Sequence, residues 1–179
     1  GPTPCYNRGM RSLLAFAAAA GLGPVALPQA TEPLLFVTNN VSGGVSVFRT
    51  SPSGVLTQVG NFPAGTNPQD LGVTRRGRNL VVVNATPAVV EEVYTFVVNP
   101  DGTLTQANPP SLVGDGPLAL NVTTGNLALV PSASDRNVSS FRIENDRTNL
   151  VNAVGAGQFP VNLVSNPRGT LAWVCGTAG

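Results

Sequence analysis

Histidine is absent from this 179-residue chain, and so is lysine; the ten basic residues are all arginine. Without histidine the chain lacks the commonest general base and the commonest metal ligand. A Ser-His-Asp or Cys-His catalytic group cannot be assembled from it alone. Charge is scarce: 11% of residues are charged and the net charge is +1. That balance gives no electrostatic case for nucleic acid or an acidic membrane surface as a partner. The two cysteines, Cys5 and Cys175, sit at opposite ends and indicate no disulfide framework. Cys175 reads as a small apolar residue at a strand end. No Gly-rich phosphate loop, zinc-ligand spacing or basic-aromatic RNA surface is present. Amphipathic helices are missing too, because Gly, Pro, Asn and Asp interrupt every stretch after Leu34 within a few residues.

What the chain does have is apolar content, 42% of residues, enough to argue against disorder across its body. Residues 1–9 read as a leader or upstream extension. Met10-Arg11-Ser12 then opens the run Leu13 to Leu22, followed by Pro and small residues to about Ala30. A positive start and a short apolar stretch read as a secretory signal peptide over residues 1–30, implying a secreted or periplasmic location. The run is too short and too rich in Gly and Pro for a stable membrane span. The rival reading is an Ala-rich helix packed on the domain.

Residues 31–179 are organised around a repeat. Apolar runs begin at Leu35, Leu80, Leu127 and Leu171, at intervals of 45, 47 and 44 residues. Phe48, Phe96 and Phe141 end the following run in three copies. A hairpin turn comes next, as Pro52-Ser53-Gly54, Pro100-Asp101-Gly102 and, less sharply, Asp146-Arg147-Thr148-Asn149. Proline pre-sets φ, Asp bonds the local backbone and Gly accepts positive φ, so these are turns with a mechanism. Gly65-Thr66-Asn67-Pro68, Gly116-Pro117 and Gly157 to Pro160 close the units. The units run over about 33–68, 69–116, 117–160 and an incomplete 161–179.

The pattern predicts an all-β fold, a β-propeller of four-stranded antiparallel blades. Second strands such as Leu80 to Val83 are continuously apolar, whereas a sandwich strand with one wet face alternates. A blade stacked between two others needs both faces apolar, and a repeat of this length matches one blade. The strands number three, four, four and two, or 13 in all. Closure takes four to eight blades, so the chain is expected to be an open arc of about three, part of a larger ring whose remainder lies outside it.

These residues resemble the lactonase family of seven-bladed propellers, which contains the 6-phosphogluconolactonase-like and YVTN-repeat proteins. The resemblance rests on Phe36-Val37-Thr38-Asn39, Gly44-Val45-Ser46-Val47-Phe48 and Pro100-Asp101-Gly102-Thr103-Leu104-Thr105. Asn67 to Val73 and Asn166-Pro167-Arg168-Gly169 complete it. It covers roughly residues 33–179. It implies a propeller that opens a sugar-type or other small lactone, or a non-catalytic relative that binds a protein or glycan ligand.

Because strands in a blade run alternately up and down, the loops entering first strands share a face with those between second and third strands. This groups Asn67, Gln69, Asp70, Asp115 and Asn162 with Asn39, Asn84, Asp135 and Arg136. Arg75, Arg76 and Arg168 fall on the other face. A lactonase needs an activated water and a donor for the oxyanion. Asp70 or Asp115 is the candidate base and Arg136 the nearest cation. Asn67, Gln69, Asn39, Asn84 and Asn162 are candidate ligand contacts. No metal site or cofactor is predicted; a divalent cation on Asp70 or Asp115 with Asn67 stays open. Each of these residues has a bland reading as a backbone-bonding turn residue. Glu91-Glu92 reads as a solvated loop, Arg75-Arg76 as a solvated turn and Trp173 as core. Four Asn-x-Ser/Thr motifs begin at Asn40, Asn84, Asn121 and Asn137.

Overall fold

The computed structural model describes residues 32–85, 91–107 and 109–177. The leader reading falls outside them. Among the described residues there is no helix; fourteen strands form four antiparallel sheets in chain order. The first sheet holds β1 (Leu34–Asn39), β2 (Gly44–Thr50) and β3 (Leu56–Pro63). The second holds β4 (Pro68–Val73), β5 (Asn79–Asn84), β6 (Glu92–Val98), β7 (Leu104–Gln106) and β8 (Ser111–Leu112). The third holds β9 (Asn121–Val122), β10 (Leu127–Ser132), β11 (Asn137–Glu144) and β12 (Arg147–Gly155). The fourth holds β13 (Pro160–Ser165) and β14 (Ala172–Gly176). Within each sheet successive strands pair, except that β8 pairs with β6, as in blades of a partial β-propeller.

The strand beyond the expected 13 is β8. Both β7 and β8 pair with β6, so they are two pieces of one outer strand. Pro109 and Pro110 interrupt it, since proline has no N–H to donate to the ladder.

The core forms between sheets. All six residues of β5 are buried. Leu80 and Val82 join Val45, Val47, Ala64, Phe96 and Leu104 in one cluster, between the first and second sheets. Val81 and Val83 face the other way and join Val93, Leu120, Ala128, Val130, Phe141 and Ile143, between the second and third. The alternation of the strand thus feeds two cores, and each fully buried side chain contributes roughly 1.5–3 kcal/mol. Innermost strands approach closely: a Cβ on Gly72 of β4 would stand 2.6 Å from the Val122 side chain.

Trp173, expected in the core, is 56% exposed, and every residue of β14 is exposed. Among the described residues no further sheet follows against which its sheet could stack. Cys175 is likewise exposed. No helix among the described residues is long and apolar enough to cross a membrane.

Candidate functional site

Strands β5 and β10 end, and β6 and β11 begin, on one face of the arc, called here the upper face. Five buried side-chain atoms among the described residues have no hydrogen-bond partner: Nδ2 and Oδ1 of Asn84, Oε2 of Glu91, Oγ of Ser132 and Oδ1 of Asn137. All belong to the upper ends of these four strands or to the residue just before β6. Buried polar groups are ordinarily paired, so such a concentration marks a place with unused bonding capacity.

Glu91 is the centre of it. The sequence reading put this residue in a solvated loop, and the structure overturns that: it is 6% exposed. Adjacent strand residues face opposite sides. Glu92 accepts a bond from the Tyr94 hydroxyl at 2.9 Å, while Glu91 turns to the third sheet. There it meets the segment Gly114 to Pro117 and the β10–β11 hairpin. Burial raises the Glu91 carboxyl to about 7; the charges of Asp115 and Asp135 and a hydrogen bond with Asp115 push the same way, against the backbone N–H of Gly116. Asp115 and Asp135 are exposed on the outer side of this group. The hairpin and the segment are tied together: the Asp115 N–H donates to Asp135 Oδ2 at 2.9 Å, and the Ala133 N–H to the Gly116 carbonyl at 2.8 Å. Glycine at 114 leaves room for these side chains: a Cβ there would lie 2.7 Å from Asp135 Oδ2 and 2.9 Å from Ser132 Oγ and force them to shift.

The other sequence candidates separate. Asp70 has both oxygens engaged by backbone: Oδ1 accepts the Leu71 N–H and Oδ2 the Leu120 N–H, each at 2.8 Å. The second bond crosses to the next sheet, so this carboxylate clamps two blades. Asn162 stands at the same place in the fourth sheet, with a bulge like that at Asp70, and accepts the Leu163 N–H at 2.7 Å. Asn67, at φ 61°, donates to the Ala85 carbonyl. Gln69 is half-buried in the bulge of β4. Asn39 donates to Ser46 Oγ at 2.8 Å. Asn84 is buried, and its amide lies where a Cβ on Gly65 would be 3.0 Å away. Arg136, at φ 55°, lies over the Phe159 ring at 5.7 Å, a cation–π contact. Of the named candidates, Asp115 is the one in contact with the Glu91 carboxyl. No group of three or more His, Cys, Asp or Glu arranged to hold a metal ion occurs among the described residues.

A cleft of about 710 Å³ lies on the opposite, lower face, lined by Arg75, Arg76, Arg78, Asn126, Glu144 and Asp146 among others. A cleft of this size could take a small ligand, but several of its charged groups are already paired. Arg78 donates to both oxygens of Asp146 at 2.8 and 2.6 Å, and Asn79 donates to the same carboxylate at 2.9 Å. Arg142 pairs with Glu144 at 3.6 Å.

The blade order and two-sided strands define a partial β-propeller. Comparison with solved structures agrees on the fold. A candidate 6-phosphogluconolactonase from Bacteroides fragilis superposes with TM-score 0.65 and 23% identity, over 72% of this chain and 37% of that one. Another from Bacteroides uniformis gives 0.66 and 18%, over 79% and 40%. The periplasmic gluconolactonase of Pseudomonas aeruginosa gives 0.62 and 22%, over 70% and 38%. The chain spans about two fifths of these proteins' length. No protein-family profile and no curated protein matches it.

Proposed function

We propose that the propeller to which this arc belongs is an exported lactone hydrolase working at its upper mouth. The observation that carries the reading is the Glu91–Asp115 carboxyl pair, set where all the orphaned buried polar atoms collect. Burial, with Asp115 beside it, raises the Glu91 carboxyl to about 7, so it retains a proton well above the ordinary carboxylate range. Exposed Asp115 takes a proton from water as the water oxygen attacks the ring carbonyl carbon. The carbonyl electron pair moves to oxygen, and on collapse the ring C–O bond breaks. Protonated Glu91 supplies the proton that the departing alkoxide needs, leaving a hydroxy acid. Arg136 and the amide of Asn84 are the donors on this face. Export is supported by the signal-like run in residues 10–30 and by the periplasmic neighbour.

The test is lactone opening by the full-length protein, followed by pH-stat. Asp115→Asn is expected to lower kcat at least about 100-fold, the scale of general-base loss, while the fold by circular dichroism stays intact. Unchanged turnover in that variant would remove the assignment. A second reading is a non-catalytic propeller that binds a protein or glycan at this mouth. It is favoured by the absence of histidine and by the backbone engagement of Asp70, Asn67 and Asn162.

A further inference from the structure

Charge is divided between the two faces. Glu91, Glu92, Asp115 and Asp135 lie at the upper ends of their strands and loops, against one arginine, Arg136. The other seven described arginines lie toward the lower face, among them Arg75, Arg76, Arg78 and Arg168. Both ion pairs among the described residues, Arg78–Asp146 and Arg142–Glu144, are on that lower face too. Among the described residues none of the upper carboxylates forms an ion pair, and the one upper arginine is directed onto Phe159.

Resting on the hydrolase reading of the same mouth, we infer that its substrate class is the uncharged lactone, and that phosphorylated or otherwise anionic lactones are rejected. Asp115 and Asp135 set the selection. A phosphate monoester carries about −1.5 to −2 charges at neutral pH. At about 8 Å from one carboxylate in a wet cleft, the repulsion is worth about fivefold in affinity, and two such carboxylates exceed tenfold. The same field acts on the product. Opening the ring creates a carboxylate beside Asp115, so the mouth that admits a neutral ring expels the acid formed from it.

The experiment uses the full-length protein and two substrates, glucono-1,5-lactone and its 6-phosphate, at low and high salt. The uncharged lactone is expected to show at least about tenfold higher kcat/KM at low salt. The gap should narrow as salt screens the carboxylates, whose reach is about 10 Å at 0.1 M. Asp135→Asn keeps an oxygen acceptor for the Asp115 N–H while losing the charge. It should shift the ratio of the two kcat/KM values about fivefold toward the phosphate ester. Equal turnover of both, a preference for the ester, or a salt-independent ratio would overturn the inference. Should neither lactone open, the hydrolase reading falls, and calorimetry with the uncharged lactam and its 6-phosphate decides the charge selection separately. Tighter binding of the uncharged lactam supports it; equal, reversed or absent binding overturns it.

Discussion

Strands β5 and β14 occupy the same place in the repeat, yet one is wholly buried and the other wholly exposed. Both are apolar, Leu80-Val81-Val82-Val83 against Leu171-Ala172-Trp173-Val174. The difference lies in the neighbours. β5 has a sheet on each side, and its two sets of side chains enter two separate cores. β14 has β13 beside it and, among the described residues, no following sheet. Burial in a blade is therefore a property of the stack, and local sequence specifies only readiness for it. Exposed Leu171, Trp173 and Val164 make an apolar surface of the kind that marks an interaction face.

The largest expected effect tests this contrast directly. Leu80→Ala should cost about 3 kcal/mol, as for other buried leucines. Trp173→Ala in the same 179-residue chain should cost about 0.5 kcal/mol or less, as at exposed sites. Urea midpoints of the two variants measure both. In a chain extended by a further blade, the cost of Trp173→Ala should rise toward that of Leu80→Ala. If it stays small there, the exposed face is not a stacking surface.

The next effect concerns the clamp that joins blades. Asp70→Ala strips the Leu120 N–H of its acceptor across the blade boundary, and Leu120 is 7% exposed. An unpaired buried donor costs roughly 1–3 kcal/mol. Asn162→Ala at the matching place removes a bond within its own strand only, so less than half that loss is expected. Equal losses in the two variants would mean that the inter-sheet bond contributes nothing of its own.

These cases also mark how far the residues alone could be read. The blade order was legible because turn chemistry and two-sided apolar strands are local properties: Asn99-Pro100-Asp101-Gly102 announces its hairpin whatever surrounds it. The outer strand of the second sheet was legible as one element but not as two, because Pro109-Pro110 breaks a ladder without ending the extended path. At the site, strand alternation puts Asp115 and Asp135 on one face without coordinates. What it could not supply was partners. Asp70 meets Leu120, 50 positions on, and the Glu91 carboxyl interacts with Gly116, Asp115 and Asp135, far from it in sequence. The signal available for Glu91 was the Glu-Glu pair before an apolar strand, since one of two adjacent strand residues must face inward.

The smallest expected effect is a slope rather than a shift, and it separates a buried carboxyl from a solvated one. The Glu91 carboxyl sits at about 7 in the folded chain against an ordinary 4.5. Between those two values the unfolded chain has released this proton while the folded chain still holds it. Stability from this group is thus full below about 4.5 and declines as pH rises toward 7. Asp101 and Asp146 are held below the usual carboxylate range by their hydrogen bonds to Thr103 and Arg78, so they act in the opposite sense and only in more acid solution. Glu91→Gln keeps an oxygen for the Gly116 N–H and removes the titration. Its urea midpoint should therefore hold level between pH 5 and 7, the window set by those two values, where that of the parent chain falls. The matching Glu92→Gln change, on the side of the sheet where the carboxylate meets the Tyr94 hydroxyl, should leave the parent's decline in place. A parent chain equally stable at both ends of that window would return Glu91 to the solvent, and the carboxyl pair at the upper mouth would lose its acid member.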